Sequence, residues 1–162
     1  MRRRFGAPAR AAAVIVGLAG LSCARQPPEP PPFKPVTTVL ELMESVIVHA
    51  ADVYWDSVQI TVDETGVHER YPRTDEEWES VWVAALSVAE SGNLLMMTPR
   101  AVDDGLWMQF ARALVDAGVE AAAAAEAHDV ERVFAAGERV YNVCSACHER
   151  YARGLRRVSG GE

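Results

Sequence analysis

The apolar positions of this chain follow two periods, and the switch between them divides it. From Val36 they come at three- and four-residue steps, through Val39, Leu40, Met43, Val46, Ile47, Ala50, Val53 and Tyr54. That is the stripe of one amphipathic helix running to about Asp56. Between Ser57 and Arg73 the pattern alternates, with Val58, Ile60 and Val62, then the turn formers Asp63 to Gly66, then Val67, which predicts a short β-hairpin or extended excursion. Thr74 and Glu77 have capping-box spacing and open a second helix with Trp78, Val81, Trp82, Ala85, Leu86 and Ala89 as its buried side, closed by Gly92-Asn93. A connection from Leu94 to Val102 carries Met96, Met97 and Pro99. Asp103 and Asp104 begin a third helix, striped by Leu106, Trp107, Phe110, Leu114, Ala117 and Ala121 and continuing to Ala125. Asp129 caps a fourth, whose apolar set is Val130, Val133, Phe134, Gly137, Val140, Tyr141, Cys144, Cys147 and Tyr151, with Gly154 as its stop. Four amphipathic helices with one longer link predict an all-α, up-down-up-down four-helix bundle over 36–155, with a short hairpin between the first two helices.

Composition adds a direction to this picture. The chain has 162 residues, 49% hydrophobic and 24% charged, which is one domain's worth of core formers. Its first 22 residues hold Arg2, Arg3, Arg4 and Arg10 and no acid, which leaves 12 basic against 23 acidic side chains in the remainder, a net of −11. So acidic a domain repels nucleic acid and favours a basic docking partner. The four arginines precede the apolar run Ala11 to Leu21, the layout of a secretory signal, too short to span a bilayer as a helix. Gln26 to Pro32 holds five prolines and predicts a semi-rigid polyproline spacer. The expected boundaries are a signal at 1–22, a Pro-rich linker at 23–35, the bundle at 36–155 and a tail at 156–162.

The three cysteines, Cys23, Cys144 and Cys147, are too few and too uneven for a disulfide framework. Cys144-Ser145-Ala146-Cys147-His148 is C-x-x-C-H, the attachment signature of c-type haem. Two thiols three residues apart on a helix add to the porphyrin's two vinyl groups, and the adjacent imidazole is carried under the ring to bind iron. A zinc half-site and a thioredoxin-like redox pair compete with this reading. Zinc needs a second ligand pair, whereas His49, His68 and His128 are scattered singly. A redox pair sits at a helix N-terminus after a strand, whereas this one is near a helix end. One covalent haem c is therefore the expected cofactor, held by Cys144 and Cys147, with His148 as an axial ligand of the iron.

Motif position, helix count, Leu42-Met43 and Cys147-His148-Glu149-Arg150-Tyr151 together resemble the cytochrome c′ and cytochrome c-556 family, over about Val36 to Arg153. The resemblance implies a four-helix bundle with haem near the end of the last helix. It also implies a basic residue in the first helix near the haem propionates. Here that helix has none; Lys34 lies just before it, and Arg150 and Arg153 are substitutes that serve equally well as favourable charge at a helix C-terminus. Separately, Leu18 to Cys23 resembles a bacterial lipoprotein signal in which Cys23 is lipidated; an ordinary cleaved signal with an incidental cysteine is the competing reading.

Family members with methionine as sixth iron ligand are electron carriers, and those with an empty distal site bind small gases. Met43 is about seven residues, roughly 10 Å, into the first helix, and His148 about five residues, roughly 8 Å, from the end of the fourth, so an antiparallel arrangement puts them level. Met43 is accordingly the expected distal ligand. Its ordinary alternative is a gap-filling core methionine. His49 is about 9 Å further along and off the stripe, His128 lies about 30 Å from His148, and Met96 and Met97 are expected as a lid. The four tryptophans are expected as core and His68 as solvated.

The resulting expectation is a single-electron carrier on the periplasmic side of a bacterial membrane, with the outer membrane favoured, and not an enzyme, since no catalytic constellation accompanies the haem motif. Its partners would be other redox proteins and the membrane holding its lipid anchor, and a homodimer is open. A high-spin haem protein binding NO or CO at an open distal site, and a haemless interaction bundle, are the alternatives. If Cys23 carries the anchor, Cys23→Ala moves the protein from the membrane to the soluble periplasmic fraction; wild-type protein already soluble and starting downstream of Cys23 refutes the anchor.

Overall fold

Thr38 starts the first helix: its hydroxyl accepts from Glu41 N at 3.2 Å while the Glu41 carboxylate accepts from Thr38 N at 2.8 Å, a reciprocal capping box. The computed structural model describes residues 32–152, so Cys23 with the expected signal and most of the linker, and Arg153, Gly154 and the tail, lie outside the described residues. Within them the chain is mostly helical, with four helices and one two-stranded antiparallel sheet. The first helix is continuous but has three segments: α1 (Val39–Leu42), a π-helical turn (Met43–Ile47) in which Val48 N–H reaches Met43 O, and α2 (Val48–Ser57). It starts at Val39 rather than Val36, because the Thr38 cap decides the boundary and the apolar period does not.

The π turn also corrects the stripe. It inserts one residue relative to an α-helix, which rotates everything upstream by about 100°. Leu42, off the predicted stripe, is buried at 2% exposure, whereas Leu40 and Val36 on it are 57% and 81% exposed.

Strands β1 (Gln59–Asp63) and β2 (Gly66–Arg70) form the hairpin, paired Val62 to Val67 and Ile60 to Glu69. Gly66, at φ +135°, supplies the turn conformation that a side chain resists. α3 (Asp75–Met96) opens with the expected capping box, Glu77 N donating to Thr74 Oγ1 at 3.3 Å. It does not stop at Gly92-Asn93. Gly92 is a contact position, not a terminator: a Cβ there would stand 2.5 Å from Ala111 O. α4 (Leu106–Glu126) starts two residues beyond Asp104, and α5 (Val130–Tyr151) is capped by Asp129, whose carboxylate accepts from Arg132 N at 3.0 Å.

The tightest packing joins α3 to α4. Small residues, including Ala85, Ala89 and Gly92 on α3 and Ala111, Gly118 and Ala122 on α4, bring the backbones together. α5 packs on α4, and the first helix packs on α3 and α5. The buried Tyr54 hydroxyl lies 3.2 Å from Val133 O and 3.4 Å from Ala121 O, joining α2 to both α5 and α4. Trp82, Phe134 and Tyr141, expected inside, are 38%, 54% and 59% exposed. Among the described residues no helix is long and apolar enough to cross a membrane.

Gly118→Ala tests the seam. The added methyl would meet Ala89 N at 2.5 Å and Ala89 Cα at 2.7 Å, a backbone clash that no rotamer relieves. Overpacking of about 1–3 kcal/mol is expected to exceed the roughly 1 kcal/mol helix-propensity gain of alanine over glycine. The urea midpoint should fall; an unchanged or raised midpoint would show that α3 and α4 part freely.

Candidate functional site

A cavity of about 250 Å³ opens where the first helix, the end of α3, the start of α4 and the end of α5 meet. Its wall is largely apolar, with Ile47, Trp55, Leu95, Trp107 and Leu114 among the lining side chains. Met43, Cys144, Cys147 and His148 all line it as well. Residues about a hundred positions apart in sequence therefore share one wall. Cys144 and Cys147 are one turn apart on α5, so helix geometry alone puts both thiols on the same face. His148 is exposed at the rim, and Met43 is half-buried on the facing helix.

The chemistry of the thiols is set by burial. Cys144 is pushed up to about 11, first by burial and then by the adjoining Cys147 thiol, and burial also raises Cys147. Both are free thiols. The cysteine of a thiol–disulfide redox pair is shifted the opposite way, to favour thiolate. Among the described residues no group of three or more His, Cys, Asp or Glu side chains is arranged to hold a metal ion, so the zinc half-site lacks its complement.

Two tryptophans fix the cavity walls. Trp107 Nε1 donates to Leu95 O at 2.8 Å, and Trp55 Nε1 donates to Gly137 O at 3.0 Å. Each indole thereby satisfies its buried N–H and turns its ring edge into a rigid wall. Gly137 admits Trp55 against α5, since a Cβ there would lie 3.3 Å from the indole Cδ1. Three residues beyond His148, Tyr151 stands edge-on to Trp107 with centroids 5.1 Å apart and donates its hydroxyl to Asp103 Oδ2 at 2.5 Å. That bond, with amide donation from Gly105 and Trp107, holds the Asp103 carboxyl below the usual range, and it raises Tyr151. The end of α5 is thus tied to the start of α4.

The remaining sequence candidates lie elsewhere. His49 lines two open clefts of about 430 and 490 Å³ beside the first helix and α3, neither of which Met43 lines. Met96 and Met97 end α3 without lining the cavity. His128 occupies the α4–α5 turn at φ 52° and stacks on Trp78 at 4.7 Å, and His68 is on the exposed hairpin beside Asp63 and Thr65. Arg150 is exposed and lies over the Tyr151 ring. Sequence reasoning passed over Arg100, which is buried next to the start of the first helix. Its only sequence signal is that it is the one charged residue of the connection Leu94 to Val102, and nothing periodic marks it.

Comparison with protein-family models, with curated protein sequences and with solved structures found no match to this chain.

Trp107→Phe keeps a ring on the wall but orphans the Leu95 carbonyl. A buried acceptor left without its donor costs about 1–3 kcal/mol, so the urea midpoint should drop by a corresponding amount. An unshifted midpoint would mean that the indole bond does not secure this wall.

Proposed function

We propose that this chain is an extracytoplasmic c-type cytochrome, an up-down-up-down four-helix bundle that carries single electrons. The observation that carries the reading is the shared apolar wall: the C-x-x-C-H residues and Met43, about a hundred positions away in sequence, line one cavity. The residues present suit a porphyrin. The wall is apolar, the two thiols lie one turn apart on it, and both are protonated at neutral pH, the form in which an S–H adds across a vinyl double bond without losing an atom. When bound, haem would supply one-electron cycling between ferric and ferrous iron.

The chain's own residues do the rest. Cys144 and Cys147 would hold the group covalently, and His148, on the same helix, would offer a ring nitrogen to the iron. The Tyr151–Asp103 bond and the Trp107 contact stop the end of α5 from fraying and so fix the imidazole-bearing turn. Met43 would supply a thioether from the opposite helix, a ligand that with histidine raises the reduction potential. Trp55, Trp107 and Leu95 exclude water. The acidic surface suits a redox partner with a basic face, and Cys23 would tether the domain to a periplasmic membrane surface through the proline-rich spacer.

One observation favours a second reading, a high-spin protein that binds NO or CO at an open distal site. Met43 begins a π turn, a less stable element than the α-helix that carries His148, so its thioether is the easier ligand to displace.

Optical spectra of protein matured in a periplasm decide between them. Wild type should give a c-type pyridine haemochrome, retain haem through acid-acetone extraction, and remain low-spin under carbon monoxide. Met43→Ala should become high-spin, bind carbon monoxide and shift to a lower potential. Haem lost on extraction refutes covalent attachment. A wild type already high-spin and reactive with carbon monoxide promotes the gas-binding reading.

A further inference from the structure

Arg100 and Ser91 are the buried polar side chains of the described residues, and Arg100 is the charged one, at 6% exposure. Its guanidinium meets only neutral acceptors. Nε donates to Thr37 O at 3.1 Å, Nη2 to Thr37 Oγ1 at 3.0 Å and Nη1 to Leu94 O at 3.2 Å. Burying an arginine without a carboxylate is unfavourable unless its donors are well placed. Here three of them fasten Thr37, 63 residues earlier, to the end of α3. Thr37 immediately precedes the Thr38 cap, so the guanidinium fixes the residue from which the capped helix departs.

The far end of the same segment is fixed too, since Ile47 is 3% exposed in the core. Between these anchors the chain makes the π turn, and its consequence falls on Met43. Five residues apart on an α-helix, Met43 and Val48 would point about 140° apart. The bond from Val48 N–H to Met43 O stacks them instead, and both side chains line the cavity. Ser45 Oγ braces the same stretch by donating to Glu41 O at 2.5 Å.

We infer that Arg100 is a positioning residue for Met43. By holding Thr37 it keeps the first helix in the register that contains the π turn, and this aims the Met43 thioether into the cavity. Without the clamp, the segment is free to relax to a regular α-helix, which would turn Leu40 inward and Leu42 outward and swing Met43 from the Val48 side of the helix round to the Ile47 side, changing the direction from which its thioether enters. The inference rests on the proposal that Met43 completes the coordination of iron at this site.

The test uses full-length, periplasm-matured holoprotein carrying Arg100→Gln, Arg100→Lys or Thr37→Val. Arg100→Gln should keep its covalent haem and helix content yet acquire a high-spin population. Its carbon monoxide affinity should rise by about 10-fold or more, the usual scale for losing a residue that orients a metal ligand. Arg100→Lys, a single point charge unable to span the three acceptors, and Thr37→Val, which retains the backbone acceptor, should fall between it and wild type. Hydrogen exchange should quicken at amides 39–47 and stay unchanged in α4 and α5. Thr37→Val serves the same purpose if Arg100→Gln does not fold. Variants that fold and remain as low-spin and as inert to carbon monoxide as wild type overturn the inference. If wild type is itself high-spin, or Met43→Ala leaves the spectrum unchanged, the ligation reading has failed. The exchange of amides 39–47 then decides the clamp alone: faster exchange upholds the hold on register, and unchanged exchange removes it.

Discussion

The backbone contact between α3 and α4 is the constraint on which the rest of the structure depends. Gly118 sits against the Ala89 backbone and Gly92 against Ala111, at separations that leave no room for a methyl group. Alanines fill the seam on either side. A core built from such small side chains contributes dispersion through close approach rather than through volume. The larger side chains then have to be placed elsewhere. Trp55, Trp107, Phe110 and Tyr141 gather around the cavity, where the first helix and α5 make far less contact than α3 and α4 do. The pair that touches makes the scaffold, and the pair that stands apart makes room for chemistry.

Most of this architecture is legible in the sequence because it depends on local rules. Helix period, the Thr74–Glu77 box, the Asp129 cap and the Asp63–Gly66 turn each act within a few residues, and each predicts its element. What escapes is tertiary. Gly92 reads as a terminator because glycine commonly ends helices, yet here the missing Cβ serves a neighbouring helix. The π turn escapes because period analysis assumes a constant angle per residue, and one extra residue shifts the phase of everything upstream. Met43 is instructive: the stripe groups it with Leu40, which is exposed, and it lines the cavity through the π turn instead. Arg100 escapes because its partner lies 63 residues away. Cys144, Cys147 and His148 are legible for the opposite reason, since contiguity on one helix is enough to place them together.

The acidity of the chain divides between folding and surface. Asp75, Glu76 and Glu77 fill the first turn of α3, where carboxylates interact favourably with the helix dipole. Glu41 and Glu77 accept amide bonds at helix starts that hold their carboxyls below the usual range, and Asp103 is held there first by the Tyr151 hydroxyl and then by the Gly105 and Trp107 amides. These charges are explained by capping before any partner is invoked. Capping explains where these carboxylates stand without removing their charge, since all three stay ionised and exposed, and the net −11 after residue 22 is what a docking protein would meet.

The two sides of the cavity are built differently, and the difference bears on function. On one side α5 is a single 22-residue helix carrying both thiols and the imidazole, and its end is held by the Tyr151–Asp103 bond and the Trp107 ring. On the other side the first helix is segmented, and Met43 stands where α geometry gives way to a π turn. A cofactor attached to α5 would keep one axial position rigid. The opposite position would depend on a register maintained by one buried guanidinium and its two contacts with Thr37. On the proposed reading, a closed electron carrier and an open gas binder would share the scaffold and the helix that carries Cys144, Cys147 and His148, and would differ in whether Met43 reaches the cofactor.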